Sequence, residues 1–311
     1  MKKNPSSVNI QAKAVLLIVA FCVLYLVLSY YLVGFKMEQV YLVLLFNTLY
    51  FISKPTRKFV LGFLIFIVFW VIFDFMKAFP NYRFNTVRTS SLYFAEKKLF
   101  GINTNGTTLT PNEYWLLHKT NFLSILTGIF YLCWVPVPLI FAGWLFFKNK
   151  AQFFYFSFTF LLANLIGFVI YYIYPAAPPW YIQQYGFTVH FNTPGNSAGL
   201  VKFDELLRVS IFKTLYQHSS NVFAAMPSLH SAYPLIVLYY GIRNKVGLTN
   251  ILFAVITLGI WFSSVYNSHH YILDVLAGIG CAATAIIAFP LIVKNVHWAN
   301  VKMQQLIKVV S

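Results

Sequence analysis

Long runs of apolar residues, separated by short charged gaps, follow one another along most of this chain. A helix needs about 20 consecutive apolar residues to cross the hydrocarbon core of a bilayer, so each run predicts a membrane-spanning helix. The second run is short, and it predicts a helix that either thins the bilayer or only re-enters it. The eight predicted helices cover 14–33, 39–53, 59–79, 121–147, 151–174, 222–242, 250–268 and 271–293.

The composition agrees with an all-α, polytopic membrane helix bundle. Hydrophobic residues make up 59% of the 311 residues and charged residues only 10%, whereas about a quarter of the residues of a soluble domain are charged. This balance excludes a soluble domain, because a water-soluble core cannot take up so much apolar surface. The net charge of +16 would suggest nucleic acid as a partner of a soluble protein. No nucleic-acid motif accompanies it here, and the bilayer is the predicted partner.

The positions of the basic residues predict how the helices are oriented. Of the 23 Lys and Arg residues, 13 lie in the two termini and in the short gaps 53–58, 148–150 and 242–245. Positive charge in short gaps marks the cytoplasmic side. The long loops 80–120 and 175–221 are therefore predicted to face outward, into a periplasm or an organelle lumen. The Lys-, Asn- and Phe-rich composition favours a bacterial inner membrane.

The outer loops and the C-terminal tail contain predicted elements of their own. SSLYFAEKKLFG has apolar residues at helical spacing, and TLTPNEYWLLH predicts a short helix with Thr110 as its cap and Pro111 in its first turn. Both helices are expected to lie on the membrane surface. The segment YPAAPPWYIQQYG is stiffened by three prolines. The tail 294–311 predicts a basic, amphipathic helix that also lies on the surface.

Three ionisable residues at the outer ends of predicted helices are the candidates for chemistry. His230 lies in AAMPSLHSAYP, and His270 and Asp274 lie in NSHHYILDVLAG. His270 and Asp274 are four positions apart, so they share one face of a helix. A carboxylate beside an imidazole fixes its tautomer, which makes the other ring nitrogen a nucleophile or a base. His269 is rotated away from Asp274 and is the poorer candidate.

The residues around His230 suit a phosphate. Pro227 and Ser228 predict the start of a helix, whose free N–H groups and dipole favour an anion. His230 is then in a position to protonate a leaving oxygen. A single histidine inside a membrane is often only a packing residue. Three such groups at one face, two of them in register, favour catalysis.

These motifs resemble the type 2 phosphatidic acid phosphatase superfamily, in which PSLH is followed about 40 residues later by H-x-x-x-D. The resemblance implies that His270 is the nucleophile, that Asp274 orients it and that His230 is the acid and base. Two departures stand against a plain phosphatase. Ser264 occupies the position of the phosphate-binding arginine in the second motif, and the first phosphatase motif is missing.

Four sequence words resemble the aureobasidin-sensitive inositol phosphorylceramide synthase branch of that superfamily. They are APPWYIQQYG at 177–186, AGLVKFD at 198–204, PSLH at 227–230 and HHYILD at 269–274. VRTSSLYFAEKKLFG and PNEYW are similar to bacterial relatives in the same branch. Lys202 stands where the family has an arginine, which keeps the charge but loses the bidentate contact.

The resemblance implies a division into three parts. N-terminal membrane helices occupy 1–58, a lipid-phosphatase-like catalytic domain with a six-helix core occupies 59–293, and a cytoplasmic tail occupies 294–311. About two helices precede the core. The implied reaction moves a phospho-headgroup, such as phosphoinositol, from a phospholipid donor to a lipid hydroxyl such as that of ceramide. It needs no metal and no cofactor, and the three cysteines are predicted to be buried and unpaired.

The implied substrate-binding residues surround an anionic phosphate. Their list is Ser228, Lys202, Arg88, Asn267, Trp180 and Tyr181. For Lys119 an ordinary surface charge is the expected role, and Asp74 with Lys77 is expected to form an ion pair at a helix end.

Three functions are open at this point. The first is a lipid headgroup transferase, with inositol, ethanolamine or glycerol as the headgroup. The second is a lipid phosphate phosphatase that uses water as the acceptor. The third is a transporter or scaffold with buried polar residues. The intact histidine motifs argue against the third, and the synthase-like words favour the first over the second.

Overall fold

A computed structural model describes residues 5–191, 193–217 and 221–311, which are almost entirely helical. Contacts between Cα atoms divide the chain into two units, Met1–Phe79 and Pro80–Ser311. The predicted all-α membrane bundle is confirmed. Within the described residues, six helical segments are long and apolar enough to cross a membrane.

The N-terminal unit is built from three helices and a short turn. Ser53 separates the second helix from the third, because its hydroxyl accepts a hydrogen bond from the Thr56 N–H and so caps the new helix. At the far end, Lys77 Nζ lies 2.9 Å from Asp74 Oδ1, which confirms the predicted ion pair. The elements are α1 (Pro5–Val33), α2 (Met37–Ile52), α3 (Lys54–Phe75) and the 3₁₀ turn Met76–Ala78.

The second unit contains the helices of the site and one small hairpin. Helix α12 is at its centre, in contact with α7, α8, α13 and α14. The helices are α4 (Ser90–Phe100), α5 (Pro111–Leu117), α6 (Asn121–Leu132), α7 (Pro136–Lys148), α8 (Lys150–Ile173), α9 (Pro179–Tyr185), α10 (Val201–Leu207), α11 (Ile211–Gln217), α12 (Leu229–Arg243), α13 (Thr249–Tyr266), α14 (Ile272–Asn295) and α15 (His297–Val310). The strands are β1 (Ile102–Thr104) and β2 (Thr107–Leu109), and two 3₁₀ turns cover Asn81–Arg83 and Ala198–Leu200.

The predicted single helix 121–147 is divided into α6 and α7. Pro136 opens α7, and proline cannot donate the hydrogen bond that would continue α6 through this point. The backbone N–H of Cys133 donates instead to Phe130 in a tight turn. The two halves together still form one apolar segment, Asn121–Lys148, of spanning length.

The predicted helix 222–242 is shorter than expected at its start. Helix α12 begins only at Leu229 and has 15 residues, which is about 22 Å at 1.5 Å per residue. The residues before Leu229 pair instead with the beginning of the second outer loop. The Ala176 N–H donates to the Phe223 carbonyl, and the Ala225 N–H donates to the Ala176 carbonyl. The prediction of a full span was therefore wrong for 222–228. Like α2, which has 16 residues, α12 is shorter than the six spanning segments.

The predicted helices of the first outer loop are present as α4 and α5. Thr110 caps α5 and exchanges side-chain and backbone hydrogen bonds with Glu113, as its sequence indicates. Both helices bury residues within the unit, Leu92 and Glu96 from α4 and Asn112 from α5. The hairpin between them was not predicted, although its Asn-Gly turn is a strong sequence signal. The tail is the helix α15, and its membrane-surface position stays a prediction.

Candidate active site

The two candidate histidines meet at the ends of two helices of the second unit. His230 lies in the first turn of α12, and His270 lies two residues before α14. Their rings are in hydrogen-bonding contact, with 3.2 Å between His230 Nδ1 and His270 Nε2. They are 40 positions apart in sequence. The structure therefore brings together the two residues that the motifs singled out.

The contacts of His270 determine which of its nitrogens is free to react. Its Nδ1 lies 2.9 Å from the carbonyl oxygen of Ala225. Because a carbonyl oxygen only accepts, Nδ1 carries the proton and donates it in this bond. Nε2 of the neutral ring is then the lone-pair nitrogen, and His230 Nδ1 donates to it. Nε2 is thus the nitrogen of His270 that carries a lone pair, on the side that faces His230.

Asp274 supports His270 in a different way from the predicted one. Its Oδ2 atom lies 3.7 Å from His270 Nδ1, which is too long for a hydrogen bond. The same oxygen accepts a bond of 2.8 Å from the Tyr271 N–H and so caps the start of α14. The Ala225 carbonyl, not Asp274, fixes the tautomer of His270. Asp274 is fully buried, so water screens the interaction between its charge and the imidazole only weakly.

Close packing of α12 against α14 determines the distance between the two histidines. The Ser228 N–H donates to the Asp274 carbonyl at 2.8 Å. A Cβ at Gly278 would overlap the carbonyl oxygen of Ser228, so only glycine permits this approach. The hydroxyl of Ser228 is buried and accepts from Ser231. Ser228, predicted to bind substrate, is placed at this junction between the two helices.

Aromatic side chains enclose His230 and its neighbour His269. The ring of His269 stacks against Tyr131 and against Tyr216, with centroid distances of 5.3 and 4.7 Å. Trp134 meets His230 edge-on at 4.6 Å. His269 Nε2 contacts the Ser197 carbonyl, and burial lowers the pKa of His269 to about 3. His269 is therefore a neutral side chain packed among aromatic rings.

The loop that carries His270 is held by an asparagine that sequence reasoning missed. The Asn112 amide donates to the carbonyl oxygens of Val265 and His270, at 2.8 and 2.9 Å. Asn112 is fully buried. The N–H groups of His269 and His270 both donate to the Ser264 carbonyl. These bonds hold the segment between α13 and α14 in one conformation. The only sequence signal is the position of Asn112 in the word PNEYW.

Glu96 is a second supporting residue that the sequence did not identify. Its carboxylate oxygens accept from the N–H groups of Ile272 and Leu273, at 2.9 and 3.1 Å. A helix leaves its first N–H groups without partners, and a carboxylate there is also favoured by the helix dipole. Burial raises the pKa of Glu96 to about 7, against the lowering effect of these two bonds. Glu96 thus joins the first outer loop to the start of the helix that carries Asp274.

Two of the remaining predicted binding residues lie in the packed core. Trp180 and Tyr181 are buried in a cluster with Phe223 and Val87. The Trp180 N–H donates to the Ser268 carbonyl at 3.0 Å, while the Tyr181 hydroxyl donates to the Thr188 carbonyl. The APPWY word therefore packs the second outer loop against the segment before His270.

Of the predicted cations, Arg88 is exposed and Lys202 is half-buried. Lys202 Nζ lies 3.4 Å from Glu205 Oε2 at the surface. The Arg88 guanidinium lies over the Tyr174 ring, 5.7 Å from its centroid. Through its backbone, Arg88 bonds to Pro175 and Ala177. Neither side chain has a contact with the two histidines in the described part of the chain.

Lys119 lies beside Asn267, which directly precedes the segment that carries His270. Asn267 is fully buried three positions before His270, and its amide nitrogen donates to the Ser263 carbonyl. Lys119 is half-buried between α5 and α6. Its Nζ and the Asn267 Oδ1 both lie 2.9 Å from the point that a Cβ on Gly199 would occupy. The structure therefore places Lys119 beside the site, where an ordinary surface charge was expected.

Comparison with known proteins supports the interpretation of these motifs. The model of the PAP2 superfamily matches residues 107–288, a range that contains His230, His270 and Asp274. The chain is 45% identical to a phosphoinositol dihydroceramide synthase of Bacteroides thetaiotaomicron, over 87% of this chain and 89% of that protein. No solved structure matches the chain.

Two fungal proteins match shorter parts of the chain. One is the inositol phosphorylceramide synthase catalytic subunit of Saccharomyces cerevisiae, 35% identical over 37% of this chain and 29% of that protein. The other is the inositol phosphorylceramide synthase of Candida albicans, 30% identical over 54% of this chain and 38% of that protein. The chain spans less than half the length of each.

Proposed function

Because this chain belongs to the PAP2 superfamily, we propose that it is a membrane phosphotransferase that moves phosphoinositol from a glycerophospholipid to the hydroxyl of a ceramide-type lipid. The observation that carries the proposal is the pair His230–His270, in which a bond to the Ala225 carbonyl leaves Nε2 of His270 as the lone-pair nitrogen. The similarity to a bacterial phosphoinositol dihydroceramide synthase supports the choice of headgroup and acceptor.

In the first step, His270 Nε2 attacks the phosphorus of the donor lipid. A nitrogen–phosphorus bond forms while the bond from phosphorus to the diacylglycerol oxygen breaks. His230, which enters this step as the imidazolium, gives a proton to that oxygen and becomes neutral, and neutral diacylglycerol leaves. Because Nε2 lies 3.2 Å from His230 Nδ1, the hydrogen bond between the rings has to open when the phosphate binds.

In the second step, the hydroxyl of the acceptor lipid attacks the same phosphorus. His230, now neutral, takes the hydroxyl proton, and the bond from Nε2 to phosphorus breaks. The headgroup ends on the acceptor, and both histidines return to their starting protonation states. The aromatic surround of Tyr131, Tyr216 and Trp134 disfavours water near the intermediate, which favours transfer over hydrolysis.

Asp274 supplies negative charge to His270 during both steps. The modified ring is cationic, and Asp274 Oδ2 lies 3.7 Å from its Nδ1. An opposite charge at this distance stabilises the cation in a water-poor site. The bond from Nδ1 to the Ala225 carbonyl persists in this state, because Nδ1 keeps its proton when Nε2 is bonded to phosphorus.

The proposed location is a bacterial inner membrane, with the site at the periplasmic face. The support is the distribution of charge along the sequence, because Lys and Arg are concentrated in the short gaps between the helices, which is typical of the cytoplasmic side. The loops that cover the site, 80–120 and 175–221, then face outward. Donor and acceptor lipids would enter from the membrane, so no soluble carrier is required.

The test is an assay of purified protein in detergent with inositol-labelled phosphatidylinositol and a ceramide or dihydroceramide. We expect a new labelled lipid, and we expect diacylglycerol in equal amount. His270→Ala should abolish both products, while His297→Ala, at an exposed position in α15, should leave them unchanged. Release of free phosphate from phosphatidic acid, with no headgroup transfer, would support a phosphatase instead.

A further inference from the structure

The site needs a positive charge at the phosphate, and the residue at the expected position cannot supply it. Ser264 replaces the arginine of the phosphatase pattern. Its side chain is fully buried and donates to the Ile260 carbonyl within α13. A phosphoryl group that reacts in a site of low dielectric requires nearby cations. The charge must therefore come from another part of the chain.

Lys119 is positioned to supply this charge. Its Nζ lies 2.9 Å from the point that a Gly199 Cβ would occupy, and Asn267 Oδ1 lies 2.9 Å from the same point. The Gly199 N–H donates to the Asn267 carbonyl at 3.0 Å. Because Gly199 has no side chain, the ammonium and the amide oxygen both reach the same point, which is too crowded for even one added carbon atom. This point adjoins the segment that carries His270.

Within the described residues, the ammonium at this point has no carboxylate partner and the amide oxygen has no hydrogen-bond partner. Lys77 and Lys202 each pair with a carboxylate, whereas no carboxylate in the described part of the chain lies within ion-pair distance of Lys119. Burial also lowers the pKa of Lys119, as expected for an ammonium without a counterion. The Asn267 Oδ1 atom is buried and accepts no hydrogen bond in the structure. An unpaired buried acceptor is costly, so a ligand that donates to it is favoured.

We propose that Lys119 and Asn267 together bind the headgroup of the donor lipid, Lys119 through a phosphate oxygen and Asn267 Oδ1 through a headgroup hydroxyl. This rests on the proposed function and adds the basis of headgroup choice. An ammonium donates to anionic oxygens, and an amide carbonyl accepts from hydroxyls. The pair fits a phosphorylated polyol better than a headgroup that ends in a trimethylated amine, which has no hydrogen to donate to Asn267.

The first experiment measures transfer by Lys119→Gln at varied concentrations of phosphatidylinositol. We expect kcat/KM to fall by about 10- to 100-fold, the usual effect of losing a hydrogen bond to a charged group. Lys119→Arg should retain more activity than Lys119→Gln, because it keeps the charge. Lys213→Gln removes one charge from an exposed position in α11 and should have no effect. Equal kcat/KM values for Lys119→Gln and Lys213→Gln would overturn the proposal.

The second experiment separates the two contacts with soluble inhibitors. Inositol phosphate and methyl phosphate are compared as inhibitors of transfer by the wild-type protein, Lys119→Gln and Asn267→Ala. Lys119→Gln should weaken both inhibitors, whereas Asn267→Ala should weaken inositol phosphate only. If Asn267→Ala weakens inhibition by inositol phosphate and by methyl phosphate equally, the proposed contact between Asn267 Oδ1 and a headgroup hydroxyl is wrong. Transfer by the wild-type protein tests the reaction itself, so a failure of the headgroup site is distinguishable from a failure of the proposed function.

Discussion

Replacing Asp274 with asparagine separates two possible roles of this carboxylate. An asparagine keeps the shape of the side chain and an oxygen that can accept from the Tyr271 N–H, so the cap of α14 is preserved. It removes the negative charge that lies 3.7 Å from His270 Nδ1. The tautomer of His270 is unaffected, because the Ala225 carbonyl fixes it.

The distance sets an upper limit for the effect. Opposite charges about 4 Å apart attract by about 4 kcal/mol at an effective dielectric constant of about 20. Since about 1.36 kcal/mol corresponds to a tenfold change in rate, the loss should not exceed about 1,000-fold. An aspartate that fixes the tautomer of a catalytic histidine contributes more, about 10,000-fold. We therefore expect Asp274→Asn to lower kcat/KM by about 100- to 1,000-fold.

The assay is transfer of labelled headgroup to ceramide, with the amount of folded protein checked by size-exclusion chromatography. Asp204→Asn is a matched control, because Asp204 is also a buried aspartate that accepts from backbone N–H groups, those of Phe212 and Lys213. Activity within about threefold of wild type for Asp274→Asn would refute the electrostatic role. A loss of about 10,000-fold or more would show instead that Asp274 controls the tautomer.

Three other substitutions test the supporting structure. Gly278→Ala should lower the thermal stability in detergent, by about 1–3 kcal/mol of overpacking, because the new Cβ overlaps the Ser228 carbonyl. Gly280→Ala, where nothing lies within 4 Å, should be neutral or stabilising, and equal effects would contradict the packing argument. Gly199→Ala should raise KM for the donor lipid, because its Cβ would come 2.8 Å from Asn267 Cα; Gly143→Ala, with no close neighbour, is the control. The pKa of Glu96 is raised from 4.5 to about 7. The protonated side chain therefore stabilises the folded state fully below the unfolded pKa of 4.5, and this contribution is lost as pH rises through about 7. The melting temperature of the wild type should then fall relative to that of Glu96→Gln between about pH 5 and about pH 8, and a constant difference would contradict the shift.

Much of the fold could be predicted because its signals are local. A bilayer demands long apolar segments, and the segments at 14–33, 151–174 and 271–293 match helices of the structure closely. The cap at Thr110 is also local, since Thr110 and Glu113 are three positions apart. The break at 133–135 was missed although Pro136 was visible, because hydropathy alone continues through it.

The four-residue spacing of His270 and Asp274 predicted their proximity, and the motifs predicted that His230 would join them. The details of their contacts were not predictable. The Ala225 carbonyl takes the hydrogen bond that the spacing assigned to Asp274, because a backbone oxygen from a distant loop is closer to Nδ1. A backbone group has no residue-specific signal, so no sequence pattern could have revealed it.

By itself, the sequence determined the membrane helices and their approximate limits, because these depend on composition and local spacing, and its motifs singled out the candidate residues for the chemistry. Only the tertiary structure decided which residues support that chemistry. Asn112 is 158 positions from His270, and Glu96 is 176 from Ile272. The sequence indicated an ordinary surface charge for Lys119, whereas the structure places its ammonium beside Gly199 and Asn267. Such contacts form only when the chain folds back on itself, and they arise from the packing of segments whose local sequences are independent of one another.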